Sequence, residues 1–138
     1  MKHVTKSAEE TFELGFNFGK TLKPRSVVAL TGELGAGKTV FTKGIAKSLG
    51  IKDYAHVNSA SFVIMQEYKG RVPLYHFDLY RMKKAGDIGT VGCEEYFYSD
   101  GISVVEWAER AEEILPEKHI AVQFKHLGGD KRGIDILR

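Results

Sequence analysis

The chain has one cysteine, Cys93, so no disulfide can close within it, and a reducing compartment fits. Its net charge is only +2, too weak by itself to argue for nucleic-acid binding. No apolar run approaches the length of a membrane span, and the N-terminus lacks the apolar core of a signal peptide. Prolines are few, at positions 24, 73 and 116, and no low-complexity tract, internal repeat or linker is visible. These absences argue against a disulfide scaffold and a membrane-embedded chain. They predict one cytoplasmic domain over residues 1–138, long enough for a real core.

Glycine is present in quantity, and its placement carries the first chemistry. Residues 32–39 read Gly32-Glu33-Leu34-Gly35-Ala36-Gly37-Lys38-Thr39, the G-x-x-x-x-G-K-T phosphate-binding loop. Glycines let the backbone curl until several N–H groups face one anion. Lys38 supplies a point charge for the β- and γ-phosphates, and the Thr39 hydroxyl suits Mg²⁺. The flanks agree: Ser26 to Leu30 is an apolar run of buried-strand type. From Thr39 on, apolar residues at 41, 45 and 49 mark one helical face, closed by Gly50.

The rest of the chain predicts an α/β fold with β-hairpins. Ser7 to Leu22 reads as a helix, with Ser7 as N-cap, Glu10 completing a capping box, and Gly15 and Gly19 suited to close backbone packing. Residues 51–57 read as a connector with a short strand. Phe62 to Tyr68 and Val72 to Tyr80 form a hairpin around Lys69-Gly70-Arg71. Residues 81–92 read as polar loop and short helix, in which Arg81, Lys83 and Lys84 either meet RNA phosphates or are simply solvated. A helical turn at 93–97, a buried strand at 102–105, a helix at 108–115 stopped by Pro116, and a second hairpin from His119 to Leu137 complete the chain.

A P-loop needs a carboxylate near its metal, usually at the end of a neighbouring strand. Glu106 closes the run Ile102-Ser103-Val104-Val105 and is assigned to Mg²⁺, directly or through water. Asp78 is left to orient water, to position another ligand of the magnesium shell or to sense the γ-phosphate. Lys38 and Asp78 are the candidate catalytic residues. His76 reads as structural, with a general base as the weaker alternative, and Trp107 either sits near the nucleotide, shapes a partner surface or fills the core. The N-K-x-D guanine signature is missing, which argues against an ordinary GTPase, and no arginine-rich lid of the nucleotide-kinase kind is evident. A small-molecule kinase with Asp78 as base, and a nucleotide-gated binding module without hydrolysis, remain alternatives.

Four segments together resemble the TsaE family in order and spacing. They are the P-loop, Ser59-Ala60-Ser61-Phe62 with Glu67-Tyr68, His76-Phe77-Asp78-Leu79-Tyr80-Arg81, and Val105-Glu106-Trp107-Ala108-Glu109-Arg110. The resemblance implies a P-loop NTPase fold with a mixed, largely parallel central sheet flanked by helices. It also implies a cytoplasmic ATPase, using ATP and Mg²⁺, that supports tRNA threonylcarbamoyladenosine modification with the TsaB–TsaD complex, touching tRNA only indirectly. Hydrolysis would reset that complex and would be slow without it. The same resemblance has Glu33, Leu34, Gly35, Ala36, Gly37, Lys38 and Thr39 bind the phosphates, Thr39 and Glu106 hold the metal, and Asp78 serve hydrolysis. Trp107 would lie near the nucleotide, while Ser7 or Thr11 and Arg132 would close over it. The family's usual S-P-T-F is Ser59-Ala60-Ser61-Phe62 here; Ser61 keeps a hydroxyl for a switch-like contact, and the loss of proline frees the preceding backbone.

Overall fold

Val27–Thr31 (β2) is the axis of the fold: buried from 27 to 30, it has parallel partners on both sides. A computed structural model of the chain describes residues 1–33, 35–57, 65–80 and 92–138. The expectations placed on Leu34, on 58–64 (Ser61 included) and on 81–91 therefore lie outside the described residues. The strands are Lys2–Thr5 (β1), β2, Met65–Tyr68 (β3), Leu74–Asp78 (β4), Ile102–Glu106 (β5), Ile120–His126 (β6) and Arg132–Leu137 (β7). They form one sheet in the order β1-β7-β6-β2-β5-β4-β3. The central β6-β2-β5-β4 block is parallel, and β7 and β3 join its margins as antiparallel hairpin partners. This is the mixed, largely parallel sheet of a P-loop NTPase-like α/β fold.

The two sheet faces follow from period-two alternation. Val28, Leu30, Leu74, Ile102, Val104 and Val122 point to one face, covered by Ala8–Gly19 (α1) and Lys38–Ser48 (α2). Val27, Ala29, Tyr75, Phe77 and Val105 point to the other, where Cys93–Phe97 (α3) lies. Burial on both faces is why β2 and β5 read as continuous apolar runs.

α1 starts as expected: Ser7 Oγ accepts from Glu10 N–H at 3.1 Å. Glu10 reaches back one residue further than a standard capping box, accepting from Lys6 N–H at 2.8 Å. The glycines do bring backbones together. A Cβ on Gly15 would overlap the Phe41 carbonyl oxygen, and one on Gly44 would overlap that of Phe12 and lie 2.7 Å from Phe16 N. Because those atoms are backbone, they cannot swing aside. Gly44→Ala is therefore expected to cost about 2–3 kcal/mol through overpacking, read as a lowered urea midpoint with an unchanged slope.

Three local expectations are corrected. β1 has no counterpart in the sequence reading. The short strand expected within 51–57 is a 3₁₀ turn, Tyr54–His56. The helix expected over 108–115 is two 3₁₀ turns, Ala108–Arg110 and Glu112–Ile114, separated by Ala111 at φ −142°.

Candidate functional site

The P-loop joins the end of β2 to the start of α2. Gly35 and Gly37 hold left-handed backbone at φ 77° and 99°, which turns the loop around without a Cβ penalty. Among the described residues, a Cβ on Gly35 would meet nothing within 4 Å. Gly32 is constrained from behind, where a Cβ would lie 2.6 Å from the Phe124 carbonyl oxygen. The loop leads directly into the helix N-terminus, whose unpaired N–H groups favour an anion.

Three strand ends supply the acidic wall. Leu30, Glu106 and Asp78 are in register across β2, β5 and β4, so both carboxylates face the α2 side at one level. Glu106 is 2% exposed. Its Oε1 accepts from Thr39 Oγ1 at 3.1 Å, and Oε2 lies 3.3 Å from the same hydroxyl. Oε2 also meets His76 Nε2 at 2.6 Å. Asp78 Oδ1 accepts from the Tyr80 N–H at 3.0 Å, a turn that fixes the carboxylate at the end of β4.

Lys38 is turned onto its own loop, donating to the carbonyls of Gly32 and, at 3.5 Å, Glu33. Its ammonium lies 3.5 Å from the centre of the Trp107 ring. Burial pushes the Lys38 pKa below its ordinary value, while Glu109, Glu106 and Asp78 pull it back up. Trp107 reaches this position from left-handed backbone, φ 59°, a conformation that costs a bulky residue about 1–2 kcal/mol. Tyr80 stacks on it at 4.9 Å between ring centroids, rather than packing into the sheet core with Tyr75 and Phe77.

The far wall comes from the chain's two ends. A Cβ on Gly37 would lie 3.5 Å from Thr11 Cγ2 and 3.8 Å from Arg132 Cγ, so both residues border the loop. Thr11 is held there by a buried 2.7 Å hydroxyl contact with Thr5, and Thr5 pairs with Arg132 across β1 and β7. Arg132 Nη1 donates to the Gly129 and Lys131 carbonyls at 2.8 and 3.0 Å. Ser7 stands one turn before Thr11 with its hydroxyl committed to the helix cap. The structure thus gathers Thr11, Glu33, Gly35, Gly37, Lys38, Thr39, Asp78, Glu106, Trp107 and Arg132 around one loop.

Residues 5–134 match the family described as threonylcarbamoyl adenosine biosynthesis protein TsaE. The chain belongs to the TsaE family. It is 43% identical over 135 residues to the tRNA threonylcarbamoyladenosine biosynthesis protein TsaE of Bacillus subtilis, covering 97% of this chain and 83% of that one. The TsaE of Treponema pallidum is 38% identical over 136 residues, covering 99% of each chain. The crystal structure of YdiB from Bacillus subtilis superimposes with a TM-score of 0.79 at 39% identity, over 97% of this chain and 82% of that one. TsaE-family membership places the protein in tRNA threonylcarbamoyladenosine biosynthesis, a tRNA-processing route. Among the described residues, no helix is long and apolar enough to cross a membrane.

Two features of this TsaE-family site escaped the sequence reading. His76 sits two residues before Asp78 on one strand, so alternation alone puts both side chains on the Glu106 face. Glu109 acts electrostatically on Lys38 from the turn after Trp107, and no spacing rule announces that.

Proposed function

We propose that the protein is a magnesium-dependent ATPase that serves tRNA threonylcarbamoyladenosine synthesis together with the TsaB–TsaD complex. One observation carries the reading: the last residue of the P-loop motif, Thr39, meets the buried Glu106 carboxylate at 3.1 Å, on the strand next to the loop strand. A hydroxyl and a carboxylate are hard oxygen donors of the kind Mg²⁺ takes, and the metal keeps water and phosphate oxygens for its remaining positions.

In this reading Lys38 leaves the Gly32 and Glu33 carbonyls for the phosphates, and the N–H groups of the loop and α2 orient the chain of phosphoryl groups. Thr39 and Glu106 would hold the cation, whose charge offsets that building on the phosphate oxygens. Asp78, fixed by Tyr80 at the same level as Glu106, stands where an attacking water can be oriented. Thr11, Trp107 and Arg132 border the nucleotide, with the Arg132 guanidinium released from its turn.

Arg132, the arginine that borders the loop at Gly37 among the described residues, is occupied with the Gly129 and Lys131 carbonyls, so in this reading the free protein turns over slowly and a partner completes or orders the site. Release of free phosphate, followed with the purified chain alone and with TsaB, TsaD and tRNA, tests this. A slow rate that rises at least about tenfold with the partners is expected, in line with the gains that charge-stabilising groups supply in such enzymes. Fast turnover that ignores them, or phosphate appearing on a metabolite, rejects the reading.

A further inference from the structure

Glu106 has two oxygens, and the structure uses them differently. Oε1 turns to Thr39 at the mouth of the P-loop. Oε2 is 3.3 Å from the same hydroxyl but makes its short contact inward, with His76 Nε2 at 2.6 Å. His76 is 3% exposed and lies on β4 opposite Val104, one diagonal step from Glu106 on β5. Around it on that face lie Leu74 and Asp78 on β4, Val104 on β5 and Gln66 opposite it on β3. Without the imidazole, Oε2 would lose its short contact and keep only the 3.3 Å approach to Thr39 Oγ1, so the buried carboxylate would be free to turn toward that hydroxyl. The imidazole removes that choice.

We infer that His76 is a positioning residue for the metal: its Nε2–H holds Glu106 Oε2, so that Oε1 stays aimed at the place beside Thr39 Oγ1 where the cation of the proposed Mg–ATP site is bound. The inference rests on that reading of the site. A donor behind a carboxylate ligand fixes the ligand's orientation before the metal arrives, and loss of such a donor typically weakens metal affinity by ten- to a hundredfold. A histidine that merely filled the core would influence stability but not the discrimination between ATP with and without Mg²⁺.

Calorimetric ATP titrations in Mg²⁺ and in EDTA test the assignment on the unaltered chain and on His76→Leu, His76→Asn and His76→Gln, with urea unfolding of each in the absence of nucleotide. The amide nitrogen of Gln falls near the position of Nε2, whereas that of Asn falls near Nδ1 and cannot reach Glu106. The magnesium-dependent gain in affinity is expected to drop about tenfold in the Leu and Asn variants and to stay within about threefold of the unaltered value in Gln. Metal-free ATP affinity should hardly change in any of them. If Leu fails to fold, the contrast between Asn and Gln decides. Equal loss in Asn and Gln, or full retention in all variants, overturns the role of His76 while leaving the Mg–ATP reading intact. No magnesium-dependent gain in the unaltered chain overturns that reading and the inference with it.

Discussion

Lys38→Ala is expected to weaken ATP binding about a hundredfold, the equivalent of about 2.7 kcal/mol and within the range for hydrogen bonds to charged groups. The ammonium is half of the reason the loop attracts phosphate at all. In the nucleotide-free chain it rests on the Gly32 and Glu33 carbonyls and against Trp107, so binding replaces neutral acceptors with charged ones. The same residue leaves a mark on pH dependence. Its folded pKa is lowered below 10.5 by burial, so folding disfavours the protonated form. That cost is fully present below the lowered pKa and is relieved as pH rises toward the unfolded value. Urea unfolding of the nucleotide-free chain should therefore show an alkaline gain in stability that Lys38→Ala lacks. An unchanged ATP affinity in the variant removes the P-loop from the account.

Glu106→Gln is expected to abolish most of the magnesium-dependent gain in ATP affinity, on the order of a hundredfold, because a unit charge within direct reach of a divalent cation is worth several kcal/mol even in a moderately polar environment. The substitution keeps the side chain's size; its one carbonyl oxygen can accept from His76 while its amide nitrogen donates to the Thr39 hydroxyl, so the fold and metal-free binding should persist. ATP titrations in Mg²⁺ and in EDTA read the two effects separately. Equal losses under both conditions would mean that Glu106 shapes the pocket without serving the metal. The Lys38 and Glu106 effects need not add, since Glu106 also acts on the Lys38 ammonium.

Most of the site was legible because its parts obey short-range rules. The P-loop is a contiguous motif between a strand and a helix, and Glu106 ends an apolar run that could only be a central strand. What was hidden depends on distant pairing or on single backbone angles. β1 is four residues long and finds its partner at the other end of the chain, Lys2 opposite Asp135, so no local pattern marks it. With it went the reason Thr11 is fixed: the contact to Thr5. The helix expected at 108–115 had suitable apolar spacing, but Trp107 at φ 59° and Ala111 at φ −142° break the helical path at both of its turns. A lone strand histidine reads as structural; alternation puts His76 on the Glu106 face, and the 2.6 Å distance shows the direct contact with Glu106.

If the loop and its acidic wall form a Mg–ATP site, ATP titration of the unaltered chain, with Mg²⁺ and then with EDTA, should give saturable binding in both, tighter with Mg²⁺ by at least about tenfold, as expected for a cation shared between protein oxygens and phosphates. Absence of binding, or equal affinity with and without the metal, would contradict that assignment.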